Sequence, residues 1–372
     1  MPPSLFESTS RFPETEVTEW RLSSGARLVF RPSRRAPRSV MLYAFAPGGF
    51  SAVPDSLASA TLAVARAGGA SHGAVSVQPA LREREALLLG SAASDALVPL
   101  FEAVRDAMER AGAAADLSVQ AGLDAALAER PLTSGPHADA GAEALHGRLF
   151  GDLRQYTFVL VGDSTPEAVE AAAAAVLPRI RPTLQALLGT EVEVAAPRVP
   201  MAIERESLPP GEAAAAAAFR GSVRSSFDTL AGLDVLAALL EDALDGRARV
   251  SAEVFFDADV GEVRVVADGE SVDPDRFEMD LLRAVRALRR APPSAGALAE
   301  ARARRRAAHE AALDRGSGWL PWLVRLYRAD QDTREALRYP RRLRGVTAAE
   351  VHALAQDVLD PERYVLVVRP RG

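Results

Sequence analysis

The sequence contains no cysteine, although it is 372 residues long. This absence excludes disulfide bonds, zinc sites built on thiolates and catalysis by a cysteine nucleophile. Lysine is absent as well, so that all 44 basic residues are arginine. Because alanine, glycine and proline are abundant, we interpret the missing lysine as the codon bias of a GC-rich genome rather than as a functional feature.

Long apolar runs and targeting signals are also missing. No stretch of about 18 apolar residues occurs, which argues against a membrane-spanning helix. The first 20 residues lack the basic and apolar regions of a secretory signal. A net charge of −6 makes nucleic acid an unfavourable partner. We therefore expect a soluble protein with no membrane and no nucleic-acid partner, cytoplasmic by default and periplasmic as the alternative.

The motifs of several enzyme classes are absent. The sequence has no G-x-S-x-G nucleophile elbow and no phosphate-binding loop with the G-x-x-x-x-G-K-[ST] pattern. It has five histidines, none paired with another at metal-ligand spacing on one predicted helix. We interpret each of them as a surface or capping residue: His72, His137, His146, His309 and His352.

The best-defined local pattern is the segment YTFVLVGDSTPEAVEAAAAAVLP, residues 156–178. Residues 157–161 are apolar, β-branched and aromatic, which is typical of a buried strand. Thr165 is a suitable N-cap, Pro166 suits the first helical position, and Glu167 suits the positive end of the helix dipole. This segment therefore predicts a strand that turns directly into a helix.

The same order of predicted elements occurs twice. The first series includes helices predicted at 56–67 and 116–130 and a strand at 82–90, and it ends with the strand 157–161. A similar series ends with a helix at 346–359, where Thr347 and Glu350 have capping-box spacing, and with the strand 364–368. Residues 213–219 are alanine-rich and favour a helix, yet the repeat predicts a strand there. We predict an α+β fold of two pseudo-duplicated domains, each a mostly antiparallel sheet with helices packed on one face. The predicted limits are 1–190 and 211–372, joined by a proline-rich linker at 191–210.

Two further patterns have plain structural interpretations. The arginine run at 302–306 is predicted to form a solvated, salt-bridged helix face, with a surface for an anionic substrate or partner as the alternative. Trp319 and Trp322 lie three residues apart among leucines, which favours packing in a core or between domains. Residues 1–15 are predicted to form an extended, poorly ordered leader.

Several segments together resemble the insulinase-like (pitrilysin) zinc peptidases. They are WRLSSGARLVFRPS at 20–33, APGGFSAVPDSLASATLAVARAGGASHG at 46–73, YTFVLVGD at 156–163, LPPGE at 208–212, FRG at 219–221 and the segment containing Trp319 and Trp322. The resemblance covers nearly the whole chain. More narrowly, the chain is similar to the non-catalytic C-terminal half of the longer bacterial members.

The resemblance implies that this chain holds no zinc. The family binds the metal with H-x-x-E-H on a helix, where the two histidines are ligands and the glutamate activates water. The equivalent positions here are Ser59, Leu62 and Ala63, and H-x-x-E-H occurs nowhere in the sequence. No cofactor is therefore expected on this chain, and zinc is expected only on a partner half.

The non-catalytic half of the family contributes an arginine and a tyrosine that contact the substrate. By resemblance, Arg247 or Arg249 matches the arginine, whereas Phe256 lies near the tyrosine position without a hydroxyl group. We therefore expect a catalytically inactive half that forms one wall of a peptide-binding chamber with a zinc-bearing half on another chain. A homodimer is the other predicted assembly. The alternative functions are a structural or assembly protein on the same scaffold and, least favoured, an independent hydrolase.

Overall fold

A computed structural model describes residues 5–34, 38–53, 64, 70–109, 138–180, 202–205, 213–224, 226–255, 260–316 and 318–370. Its contacts divide the chain into two compact units. The first comprises Met1–Ala196, Ala312–Tyr327 and Gln331–Arg334, and the second comprises Pro197–Ala311, Arg328–Asp330 and Glu335–Gly372. The first unit therefore includes a segment from late in the chain.

The first unit contains a sheet of eight described strands. They are β1 (Phe6–Phe12), β2 (Val17–Leu22), β3 (Arg27–Pro32), β4 (Ser39–Pro47), β5 (Ala70–His72), β6 (Val75–Leu81), β7 (Glu85–Ala93) and β8 (Thr157–Gly162). Their order is β1-β2-β3-β8-β4-β7-β6-β5. Strands β3 and β8 are parallel, and the other described neighbours are antiparallel.

The second unit contains a sheet of five described strands. They are β9 (Ala202–Arg205), β10 (Ala213–Arg224), β11 (Arg249–Phe255), β12 (Val260–Val272) and β13 (Tyr364–Pro370). Their order is β11-β12-β10-β13-β9, with β13 and β9 parallel and the other pairs antiparallel. The alanine-rich segment is a strand, as predicted, because its backbone pairs with β12 on one side and β13 on the other.

The two sheets share one topology. In both, the last strand in sequence lies between an antiparallel neighbour and a parallel neighbour: β8 between β4 and β3, and β13 between β10 and β9. The remaining strands follow in the same order, β7-β6 in the first sheet and β12-β11 in the second. The predicted α+β class with two mostly antiparallel sheets is confirmed, and β13 is the counterpart of β8.

Three described helices belong to the first unit and lie early in the chain: α1 (Leu97–Glu109), α2 (Ala138–Phe150) and α3 (Pro166–Val176). They cover one sheet face and enclose a core that includes Trp20, Phe30 and Phe158. Helix α3 begins as predicted, because Thr165 Oγ1 accepts a hydrogen bond from Ala168 N at 3.2 Å.

Six described helices follow in the second half of the chain. They are α4 (Phe227–Ala243), α5 (Pro274–Arg290), α6 (Ala295–Asp314), α7 (Trp319–Arg328), α8 (Glu335–Gly345) and α9 (Ala348–Val358). Helix α9 begins with the predicted capping box, in which Thr347 and Glu350 exchange hydrogen bonds between side chain and backbone. Sequence reasoning missed α8, whose proline at position 340 argues against a helix interior.

Helix α7 belongs to the first unit. The guanidinium of Arg31 lies 4.3 Å from the ring centroid of Trp319, and Tyr327 donates a hydrogen bond to Glu19 at 3.0 Å. Glu19 and Arg31 alternate along β2 and β3 with residues of the helix-covered core, so their side chains lie on the other sheet face. Trp319 and Trp322 are both buried, in agreement with the predicted packing role.

The arginine run ties helix α6 to its neighbours in the second unit. Arg302 donates hydrogen bonds to the carbonyl oxygens of Arg344 and Val346, at the end of α8. Arg304 pairs with Asp242 at 2.7 Å, and Arg305 with Glu241 at 3.2 Å. The predicted salt-bridged face exists, and part of it also satisfies helix carbonyl groups that lack partners within their own helix.

Several predictions about local structure need correction or stay open. Residues 6–12 form edge strand β1 rather than a poorly ordered leader, held by backbone pairing with β2. Strand β6 was missed because Pro79 argues against a strand, yet β6 pairs with β7 through this residue, which lies opposite Leu88. The strand predicted at 82–90 is observed as β7, three residues later. Residues 191–210, predicted as a linker, include β9. The helices predicted at 56–67 and 116–130 lie outside the described residues, apart from Val64.

Gly221 in the FRG segment marks a close approach of α9 to β10. A Cβ atom at this position would lie 2.7 Å from the carbonyl oxygen of Asp357 and 2.9 Å from Val358 Cα. Backbone atoms cannot move aside as a flexible side chain can. We therefore predict that Gly221→Ala lowers the free energy of unfolding by roughly 1–3 kcal/mol, measured by urea denaturation.

Gly296 offers a matched control in the same unit. A Cβ atom there has no atom within 4 Å, so Gly296→Ala should leave the free energy of unfolding unchanged or slightly raised. Equal unfolding midpoints for the two variants would contradict the close approach.

Candidate functional site

The region predicted to contact substrate lies where α4 ends and β11 begins. Leu244 closes the helix, and Asp245 and Gly246 follow with positive φ angles of 52° and 68°. Gly246 N donates a hydrogen bond to Glu241 O, which is the pattern of a Schellman motif. This reversal directs the chain toward α5 and leaves Arg247 beside that helix.

Arg247 lines a cleft of about 490 Å³ together with residues of α5. Its Nη1 donates a hydrogen bond to Asp280 Oδ2 at 2.8 Å, and its Nε donates to Leu244 O at 3.2 Å. Its side chain is still 41% exposed. Asp280 is also approached by Arg283 at 2.9 Å and by Arg276 at 3.8 Å. Arg247 is thus held in one orientation, with part of its guanidinium open to the cleft.

The other predicted site residues are less well placed or not described. Arg249 is exposed at the first position of β11, opposite Asp268 of β12. It does not line the Arg247 cleft. Phe256 and the positions that match the zinc motif, Ser59, Leu62 and Ala63, lie outside the described residues. The substrate-contact role of Arg247 and Arg249 therefore stays a prediction.

Metal-ligating side chains do not assemble in the described ranges. No three histidine, aspartate or glutamate residues there come together in a way that could hold a metal ion. The residues that the sequence places at the zinc positions carry a hydroxyl and two alkyl groups, which do not fit a zinc site.

Two of the histidines differ from their predicted surface position. His146 is only 2% exposed and stacks on Phe150 in the first unit. His309 is buried in the second unit, where its Nε2 lies 2.8 Å from Ala336 O. Each is on a helix that faces a core, where histidine substitutes for an apolar residue. Neither belongs to a group of three potential metal ligands in the described part of the chain.

A second cleft in the second unit was not found from the sequence. It has a volume of about 480 Å³ and is lined mainly by charged residues at the end of α8 and the starts of α4 and α9: Asp228, Arg338, Arg341, Arg342, Gly345, Val346 and Glu350. The sequence feature that could have indicated this cleft is the segment RYPRRLR at 338–344, which contains four arginines. Without α8 in the prediction, these arginines could not be assigned to one surface.

Comparisons with known proteins identify the fold. No protein-family model and no curated protein matches the chain. The structure is similar to the periplasmic protease PqqL from Escherichia coli, with a TM-score of 0.62 and 16% identity over 100% of this chain and 47% of PqqL. It is also similar to a protease from Helicobacter pylori, with a TM-score of 0.64 and 10% identity over 98% of this chain and all of that chain.

A third similar structure is an inactive domain of an M16 peptidase from Pseudomonas fluorescens. The TM-score is 0.57 and the identity 16%, over 96% of this chain and 98% of that domain. The chain therefore has the fold of the M16, or insulinase-like, peptidases, as the sequence segments indicated. It spans about half the length of PqqL.

None of the helices in the described ranges is long and apolar enough to cross a bilayer.

His146 makes a prediction about pH possible. Burial lowers its pKa to about 4, against a smaller opposite effect of a hydrogen bond to the backbone of Ala107. Between pH 6.5 and pH 4 the unfolded chain therefore binds a proton that the folded chain does not, so stability falls as pH falls. We expect His146→Gln to reduce the loss of unfolding free energy between pH 7.5 and pH 4.5 by roughly 2–3 kcal/mol.

The matched control is His352→Gln, because His352 is only half-buried on α9. Its urea unfolding curves should follow those of the wild type at both pH values. A His146→Gln variant whose pH dependence equals that of the wild type would show that the buried ring does not resist protonation.

Proposed function

We propose that this chain is a catalytically inactive half of an insulinase-like zinc peptidase. It forms one wall of a peptide-binding chamber, and a zinc-bearing half on another chain forms the opposite wall. The observation that carries the proposal is a peptidase fold without the peptidase motif: H-x-x-E-H is absent from the whole sequence. Two comparisons support it, namely the half-length match to PqqL and the match to an inactive M16 domain.

In this proposal Arg247 is the side chain of this half that contacts the peptide. Its guanidinium is oriented by Asp280 before any ligand arrives, which reduces the entropy lost on binding. A cationic donor next to a peptide carbonyl also stabilises the negative charge that develops on the carbonyl oxygen during hydrolysis. Arg249 is the alternative contact.

The test begins with co-purification from the native organism. The tagged chain should recover a protein whose sequence contains H-x-x-E-H, and the pair should hydrolyse peptides in a reaction that a chelator abolishes. The chain alone should neither retain zinc nor hydrolyse peptides. Near-stoichiometric zinc and chelator-sensitive hydrolysis by the single chain would overturn the proposal. A stable homodimer without a zinc-bearing partner would favour the structural or assembly role instead.

The contribution of Arg247 is measured in the same complex. We expect Arg247→Gln to lower kcat on the order of 10²-fold, as expected for the loss of a donor to a developing oxyanion. Arg249→Gln and the exposed control Arg290→Gln should retain activity near that of the wild type. If Arg249→Gln alone reduces kcat, the contact belongs to Arg249. If neither does, this half does not stabilise the intermediate.

A further inference from the structure

The second cleft, at the end of α8, carries an inference of its own. Its lining side chains include three arginines and two carboxylates, Asp228 and Glu350. We propose that this cleft, which we call the α8 cleft, binds the carboxylate of an acidic peptide segment. The identity of the ligand as a peptide rests on the proposed function; the anion site itself rests on the geometry alone.

A buried carboxylate fixes two of the three guanidinium groups in place. Glu335 accepts hydrogen bonds from Arg338 Nη1 at 2.9 Å and from Arg342 Nη2 at 2.7 Å. The residue is only 8% exposed. Burial alone would raise the pKa of Glu335, but the hydrogen bonds from both arginines outweigh it and lower that pKa. The two arginines are thus oriented toward the cleft before a ligand binds.

The third guanidinium has no acidic partner among the described residues. Arg341 lines the cleft and is exposed, and no carboxylate in the described part of the chain pairs with it. A planar guanidinium with five N–H donors is well suited to bidentate binding of a carboxylate. Arg341 is therefore the group that we expect to make the new contact.

The two carboxylates that line the cleft leave room for a ligand. Glu350 Oε2 already accepts hydrogen bonds from Thr347 N at 2.7 Å and from Thr347 Oγ1 at 2.8 Å. This carboxylate is therefore engaged in the N-terminal cap of α9. Asp228 pairs with Arg342 at 2.7 Å but is 74% exposed. Exposed pairs of this kind contribute little to stability. A ligand carboxylate can therefore replace Asp228 at Arg342.

The surroundings of the cleft include two helix N-termini, one helix C-terminus and an apolar side chain. The first turns of α4 and α9 bring positive partial charge to the cleft and the end of α8 brings negative partial charge, so the helix ends together add a small positive contribution. Leu337 lies one helical turn before Arg341 on α8 and is 47% exposed. A segment with glutamate next to leucine matches both features.

The test measures binding to the full chain alone, without the zinc-bearing half. The probe is a fluorescein-labelled peptide with two glutamates next to leucines, and its binding is measured by fluorescence anisotropy. The reference is the same peptide with glutamine in place of glutamate. We expect the glutamine peptide to bind at least about tenfold more weakly. Arg341→Gln should weaken binding of the glutamate peptide by about tenfold. Asp228→Asn should strengthen binding of that peptide by about threefold, because the competing carboxylate is removed.

The matched control is Arg286→Gln, which removes one exposed arginine from α5 outside the cleft. It should bind the peptide as the wild type does. Equal losses for Arg341→Gln and Arg286→Gln would reveal only general charge attraction and overturn the proposal. Equal binding of the two peptides, or no binding of either, would also overturn it, as would displacement of the peptide by inorganic phosphate at concentrations where acetate has no effect.

The outcomes separate the two proposals. Specific binding by this chain, together with failure to recover a zinc-bearing partner, would support the α8 cleft and contradict the inactive-half role. Recovery of that partner, with anisotropy unaffected by Arg341→Gln, would support the inactive-half role and contradict the α8 cleft.

Discussion

The insertion of the last strand of each unit between two other strands of its sheet is the constraint on which the rest of the structure depends. Strand β8 lies between β3 and β4, and β13 lies between β9 and β10, although each meets partners that are far away in sequence. Neither sheet is continuous without this strand. The helices pack on these sheets and the clefts lie between those helices, so their positions depend on these long-range ladders.

The elements that the sequence predicted well carry local signals. The cap at Thr165, the capping box at Thr347 and the apolar strands β8 and β13 each follow from a few neighbouring residues. The alanine-rich strand β10 was predicted only because the chain repeats itself; its own residues favour a helix, and pairing on both edges overrides that preference.

The features that were missed depend on tertiary structure. Pro79 lies in β6 opposite Leu88 of β7, and a proline gives no local signal for such a pairing. The burial of His146 depends on which face of α2 meets the core. At the candidate site, the sequence singled out Arg247 but could not supply Asp280, which lies on another helix and fixes the orientation of the arginine side chain. The α8 cleft combines three helix ends, so no single segment indicates it.

The late segment that joins the first unit has a consequence for how the protein is made. Trp319, Tyr327 and Thr333 contact Arg31, Glu19 and Thr15, and these contacts are part of the first unit. A ribosome that has synthesised residues 1–196 has therefore not yet produced everything that this unit needs. Co-translational folding of the first unit cannot be completed until residue 334 has left the exit tunnel, by which time most of the second unit has also emerged. A truncated chain that stops at the boundary between the units would expose the sheet face that α7 normally covers.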